Sequence, residues 1–190
     1  LIEGGYSPGR PQELVETVPE LQSTWHARDG GEPRLLAGKP FLSEQWGVHE
    51  VPLAARAFLQ VNRWTARLLE DHVESGAGPV NGMRLVDAYC GVGLHARRFA
   101  DAGAEVIGIE LDPHAVAAAR AANVRGAEFL EGPVEDLLPT ALPASLVILN
   151  PPRDGVAEAV VEALLAQPPE RIIYISCNPA TLARDLRRLR

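Results

Sequence analysis

Short runs of continuous apolar residues alternate with amphipathic stretches through the second half of the chain. The runs fall at 84–89, 105–111, 127–131, 146–150 and 171–177. Each is of strand length and too short for a buried helix. Between them, 94–102, 113–123, 134–138 and 156–166 carry apolar residues at helical spacing, and 180–190 resumes that spacing. Continuous apolar strands separated by helices predict a parallel sheet covered on both faces. Right-handed crossovers then give a doubly wound α/β sheet, Rossmann-like, with strand order 3-2-1-4-5. Upstream, Asn62 is an N-cap for a helix that sets Trp64, Leu68, Leu69 and Val73 on one face and ends near Gly76. Residues 1–52 hold only brief apolar bursts among Gly, Pro and polar residues, which predicts short strands and turns. Two parts are expected: a small, partial β region over 1–57 and an α/β domain over 58–190.

Composition narrows the classes. With 46% hydrophobic residues in 190, the chain can bury a real core. Twenty-five acidic against 18 basic residues leave a charge of −7, which argues against a free-standing, non-specific nucleic-acid binder. It leaves open an enzyme that another domain delivers to RNA. Lys39 is the only lysine beside 17 arginines, a bias that reflects a GC-rich genome better than a binding role. No run approaches 18 apolar residues, so no membrane partner is expected. The first residues have no signal-peptide layout and no initiator Met, which suggests a piece of a longer chain. Cys90 and Cys177 are too few for a disulfide framework, and no histidine pair has zinc-site spacing. A reducing, cytoplasmic setting without metal is the expectation.

In doubly wound sheets, ligands sit outside the carboxyl ends of the strands. Four segments fall there. Asp87-x-x-x-Gly91-x-Gly93 joins the first strand to a helix, and its glycines let the backbone approach a ligand closely. Glu110 ends the second strand and can accept hydrogen bonds from a ribose diol. Together they indicate a nucleoside-containing cofactor, without separating NAD from S-adenosylmethionine. Asn150-Pro151-Pro152-Arg153 ends the fourth strand, where two prolines remove two N–H donors and make a rigid corner for presenting Asn150 to a planar substrate. Ser176-Cys177-Asn178-Pro179 closes the fifth, where a thiol could serve as nucleophile or simply be buried and inert. Cys90 reads as structural. One strand lies between the two cysteines, putting them about 9–10 Å apart, beyond disulfide reach.

These segments, in this order, resemble the RNA uracil-5 methyltransferase family, which uses S-adenosylmethionine on tRNA and 23S ribosomal RNA. Phe58-Leu59-Gln60-Val61-Asn62 is similar to that family's Phe-x-Gln-x-Asn signature, and the likeness spans roughly 35–190. The resemblance implies that Cys177 is the nucleophile that adds to C6 of uracil, making C5 reactive toward the methyl group. It implies that Gln60, Tyr89 and Glu110 hold the cofactor, together with the Asp87, Gly91 and Gly93 turn and Asn150. Phe58, Asn150 and Arg153 would contact the RNA base, which must leave its stack to be reached. Asn150 departs from the family's usual Asp, so contacts that rest on a carboxylate are in question. Leu94 and Pro133 stand where many members have polar residues. The cysteines that bind an iron–sulfur cluster in some members are absent. In the family a Glu beyond the nucleophile motif removes the C5 proton, and many members carry an N-terminal β-barrel. Neither segment lies within this chain, so a fragment lacking the general base is expected.

Other readings stay open. Cytosine-5 methylation shares the cysteine chemistry. Methylation of an exocyclic or amide nitrogen uses Asn-Pro-Pro before an aromatic residue, and here Arg153 takes that place. A non-catalytic RNA-binding module could retain the cofactor fold. A dehydrogenase is disfavoured, because no His or Lys for hydride transfer stands at a strand end. Arg184, Arg187 and Arg188 share one face of the last helix, either as a phosphate contact or as a solvated helix end.

Overall fold

The computed structural model describes residues 2–3, 9–28, 31–46, 49–53 and 62–190. The chain divides into two compact units, Leu1–Phe58 and Leu59–Arg190. In the first, β1 (Ile2–Glu3) runs parallel to β2 (Ser23–Ala27), which pairs antiparallel with β3 (Arg34–Gly38). A hairpin of β4 (Leu42–Trp46) and β5 (His49–Leu53) follows. This unit also holds α1 (Pro11–Thr17), where the sequence predicted only strands and turns. Pro11 supplies the fixed φ suited to a first helical residue, and Gln12, Glu13 and Leu14 are good helix formers, so about two turns of helix win over the surrounding β signal.

The second unit opens with α2 (Arg63–Ala77), and the Asn62 side chain accepts a hydrogen bond from the Thr65 N–H at 3.1 Å, as its cap. Strand and helix then alternate: β6 (Arg84–Ala88), α3 (Leu94–Asp101), β7 (Glu105–Glu110), α4 (Pro113–Ala121), β8 (Ala127–Glu131), α5 (Val134–Ala141), β9 (Leu146–Leu149), α6 (Glu158–Ala166), β10 (Arg171–Tyr174) and α7 (Pro179–Arg188). The five strands are all parallel in the order β10-β9-β6-β7-β8, the 3-2-1-4-5 arrangement in reverse view. Successive residues point to opposite faces, and this splits the core in two. Leu85, Val106, Leu146 and Ile148 pack with Val73, Phe99, Val116 and Phe129 beneath α2, α3 and α4. Val86, Ile109, Val147 and Leu149 pack with Leu138, Val160 and Leu164 of α5 and α6. Each such side chain contributes about 2 kcal/mol on burial.

Strands β9 and β10 are shorter than the apolar runs that predict them. The Ile175 N–H still reaches Leu149 O at 2.8 Å, but Pro151 and Pro152 have no N–H with which to extend the ladder. Cys177 therefore lies on a turn beyond the sheet. Among the described residues, no helix is long and apolar enough to cross a membrane.

Candidate active site

The turn after β6 is built from unusual backbone. Tyr89 has φ +62°, and Gly93, which starts α3, has φ +77°. A Cβ at Gly93 would stand 2.5 Å from Cε1 of Phe129, so this position needs glycine on both counts. The Cys90 N–H reaches across to Ile109 O at 3.0 Å, locking the turn to β7. Asp87 is fully buried beneath it. Its Oδ2 accepts from the Ala96 N–H in the first turn of α3 at 3.0 Å, while Oδ1 has no partner. Burial raises this carboxyl to about 7, the Ala96 N–H opposing and the charge of Glu110 adding.

Glu110 accepts from three backbone amides. Oε1 accepts from Leu111 at 2.8 Å and Asp112 at 2.9 Å, and Oε2 accepts from Gly91 at 2.9 Å. Its orientation is therefore fixed before any ligand arrives. A carboxylate has about four acceptor sites, so capacity remains for a further hydroxyl donor. The space beside Gly91 is open, since a Cβ there would meet nothing within 4 Å.

Tyr89 is half-buried against the α5–α6 side of the core. Burial first, then the charges of Glu135 and Asp185, push its hydroxyl up to about 12, so it stays protonated as a donor. Cys90 is held by burial well above the ordinary thiol range, which suits the structural role expected of it. Both cysteines are free, and Cys177 is exposed.

The register Tyr174↔Leu149 sets Asn150 and Ile175 at the ends of adjacent strands. Asn150 and Arg153 are exposed. The Ser176–Pro179 turn is knotted by local bonds: the Asn178 N–H donates to Ser176 Oγ at 3.0 Å, and Asn178 Oδ1 accepts from the Ala180 N–H at 3.0 Å as the cap of α7. Asn178 Nδ2 donates to Arg153 O at 3.3 Å, and Thr181 Oγ1 donates to the same carbonyl at 3.1 Å. The first turn of α7 thus grips the loop that follows β9.

Structure brings Asp87, Tyr89, Gly91, Gly93, Glu110, Asn150, Arg153 and Cys177 to one edge of the sheet, the carboxyl ends of β6, β7, β9 and β10. Phe58 and Gln60 lie outside the described residues. Asp185 was not anticipated. It sits fully buried on α7, with Tyr174 Oη donating to it at 2.7 Å and the Val156 N–H at 3.0 Å. The signal for it was present: Leu182 and Leu189, at i−3 and i+4, mark a buried face, and a lone carboxylate on that face must have partners. Of the three helix arginines read as a solvated or phosphate-facing stripe, Arg184 and Arg188 are tied into local bonds, Arg184 while still exposed and Arg188 while partly so. Arg184 donates to Asp185 and Asp154 O, and Arg188 to Asp185, Val156 O and Glu158. Among the described residues, no three His, Cys, Asp or Glu side chains are grouped to hold a metal ion.

Comparison with known proteins agrees with this layout. The profile of the tRNA (uracil-5-)-methyltransferase family matches residues 134–190, and a general methyltransferase domain profile matches 86–145. An uncharacterized RNA methyltransferase of Thermosynechococcus vestitus is 40% identical over 84% of this chain and 37% of its own length. One from Nostoc is 36% identical over the whole of this chain and 45% of its own. The chain spans less than half the length of these relatives. Among solved structures, the Pyrococcus abyssi tRNA (uracil-54, C5)-methyltransferase, in complex with S-adenosyl-L-homocysteine, superposes on 98% of this chain and 48% of its own. The TM-score is 0.78 at 27% identity.

The parallel sheet with its glycine turn and strand-end acid is thus that of a Rossmann-like methyltransferase. Within that class, the chain belongs to the S-adenosylmethionine-dependent RNA uracil-5 methyltransferase family. The residues present fit a sulfonium nucleoside: Glu110 is preset as an acceptor, the side of Gly91 is open, and the buried Oδ1 of Asp87 lacks a donor.

Proposed function

We propose that this chain is the methyl-transfer domain of an enzyme that methylates C5 of a uridine in RNA, with Cys177 as its covalent nucleophile. The observation that carries the reading is an exposed thiol on the turn after β10, a turn whose neighbouring Asn178 and Thr181 side chains bond to Arg153 O on the loop after β9. The family membership supports it.

In this reading Glu110 holds the ribose of S-adenosylmethionine, with the Gly91–Gly93 turn, Tyr89, Asp87 and Gln60 completing the pocket. The bound cofactor supplies an electrophilic methyl group. Cys177, as thiolate, adds to C6 of the uracil, and the C5–C6 double bond shifts its electrons so that C5 becomes nucleophilic. Asn150 can donate from its amide to O4 and accept from N3–H, so a neutral residue still reads a uracil edge. Phe58 and Arg153 complete the base contact. After methylation, loss of the C5 proton to a base lets the cysteine leave.

The test is intact-mass analysis of the protein mixed with S-adenosylmethionine and RNA containing 5-fluorouridine, whose C5 fluorine cannot be removed as a proton. A covalent RNA adduct absent from Cys177→Ala supports the reading. Cofactor binding with methyl transfer to RNA but no adduct in either protein would sink it, in favour of nitrogen methylation. An adduct formed with 5-fluorocytidine alone would move the target to cytosine.

A further inference from the structure

The geometry points to Asp185 as a positioning residue that fixes the nucleophile turn against the substrate loop. This rests on the reading of Cys177 given above. The carboxylate gathers donors from three elements. Tyr174 Oη at 2.7 Å comes from the end of β10, and the Val156 N–H at 3.0 Å comes from the loop before α6. Arg184 Nε at 2.9 Å and Arg188 Nη1 at 3.2 Å come from α7 itself. The same two arginines carry the connection onward, Arg184 Nη2 to Asp154 O at 2.7 Å and Arg188 Nη1 to Val156 O at 3.3 Å. α7 and its cap therefore hold three of the four residues of the 153–156 segment by backbone groups: Arg153, Asp154 and Val156.

Gly155, at φ +78°, is part of the same device, because a Cβ there would collide with Asp185 Oδ2. Burying a carboxylate is unfavourable unless it is paired and hydrogen-bonded. Burial pushes Asp185 up, but the Tyr174 hydroxyl, the Val156 N–H and Arg184 outweigh it and hold the group below the usual carboxylate range. The buried charge is thus kept, with both oxygens used. Simple attachment of a helix needs no such charge, since an apolar residue on the Leu182–Leu189 face would serve as well or better. What a multi-donor carboxylate adds is fixed orientation. Cys177 leads directly into α7 through Asn178, and Arg153 leads into the clamped loop, so the register of thiol and substrate loop is set by the group behind them. A misplacement of about 1 Å at a reacting centre costs on the order of 100-fold in rate.

The test compares Asp185→Asn with the unaltered protein by hydrogen exchange and by single-turnover adduct formation on the 5-fluorouridine RNA. Amides at 155–157, 178 and 180–182 are expected to exchange about tenfold faster, as for loss of a charge-assisted bond, with β6 and β7 unchanged. Adduct formation is expected to slow about 100-fold with cofactor affinity unaltered. Tyr174→Phe removes one donor while keeping the charge, and carries the test if Asp185→Asn does not fold; it should shift both readouts the same way by less. Unchanged exchange at Val156 overturns the proposal, as does uniform loss of protection or a fall in cofactor affinity matching the fall in rate. If the unaltered protein forms no adduct, the uracil chemistry fails, and the exchange at 155–157, 178 and 180–182 still decides whether Asp185 is the clamp.

Discussion

The Glu110 carboxylate and the Gly91 amide are joined by a 2.9 Å hydrogen bond that links the end of β7 to the glycine turn after β6. With Leu111 and Asp112 on its other oxygen, Glu110 is held in one orientation by three backbone amides. Glu110→Gln keeps the shape but turns one acceptor into a donor that faces backbone N–H groups. Hydrogen bonds to a charged group contribute about 1.5–3 kcal/mol. Calorimetry should therefore show affinity for S-adenosylmethionine reduced by about 10- to 100-fold. Undiminished affinity would remove Glu110 from the cofactor site.

Cys177 is exposed and outside the sheet, so Cys177→Ala should alter unfolding free energy by no more than about 0.5 kcal/mol. Cofactor binding should persist while the RNA adduct disappears. Urea unfolding and intact mass on one preparation check both halves, and a surviving adduct would point to another nucleophile.

Gly93→Ala must place a methyl group 2.5 Å from the Phe129 ring at φ +77°. Strain in the left-handed region and overpacking each cost about 1–2 kcal/mol, so the variant should lose about 2–4 kcal/mol by chemical denaturation. Adding Phe129→Leu to it should recover part of the packing share and none of the backbone share. Strictly additive losses would show that the ring is not the obstacle.

Two buried groups give opposing pH dependences. Burial holds Asp87 up at about 7 against an ordinary 3.8, and burial with the Arg98 charge holds His95 down at about 4 against 6.5. Between pH 4 and 6.5 the folded state binds an extra proton at Asp87 and lacks one at His95. Rising pH therefore removes stability through Asp87 and adds it through His95, and the two slopes offset. Asp87→Asn should leave stability rising with pH across that window, by at most about 1.4 kcal/mol per unit. His95→Gln should leave it falling from pH 4 to 7. Denaturation curves at pH 4.5, 5.5 and 6.5 decide, and slopes of equal sign in the two variants would refute the assignment.

The sheet was legible because its information is local and repeated. Each strand is a short apolar run, each crossover obeys one handedness, and a ligand edge follows from the strand directions. Tyr89, Glu110, Asn150 and Cys177 could be placed at that edge from run lengths alone. Strand ends were less legible, because β10 stops where its neighbour runs into Pro151 and Pro152, a tertiary fact. The helix at Pro11 was hidden among β signals by its shortness. Asp185 was hidden by its neighbours: four arginines nearby suggested solvent, whereas the carboxylate among them is buried and binds two of them. The base-contact and cofactor roles of Phe58 and Gln60 rest on the family resemblance and not on geometry.

Asn150 and Asn178, on the loops after β9 and β10, are each followed by proline. Asparagine ages mainly by attack of the next residue's backbone nitrogen on its own side-chain amide, and proline has no N–H with which to begin. Asn178 also has its amide engaged at both ends, Oδ1 on Ala180 and Nδ2 on Arg153. The rigid corners that orient this edge of the sheet thereby make its amides chemically durable, which under the proposed function keeps the Asn150 amide from turning into the carboxylate that would change how it meets a base.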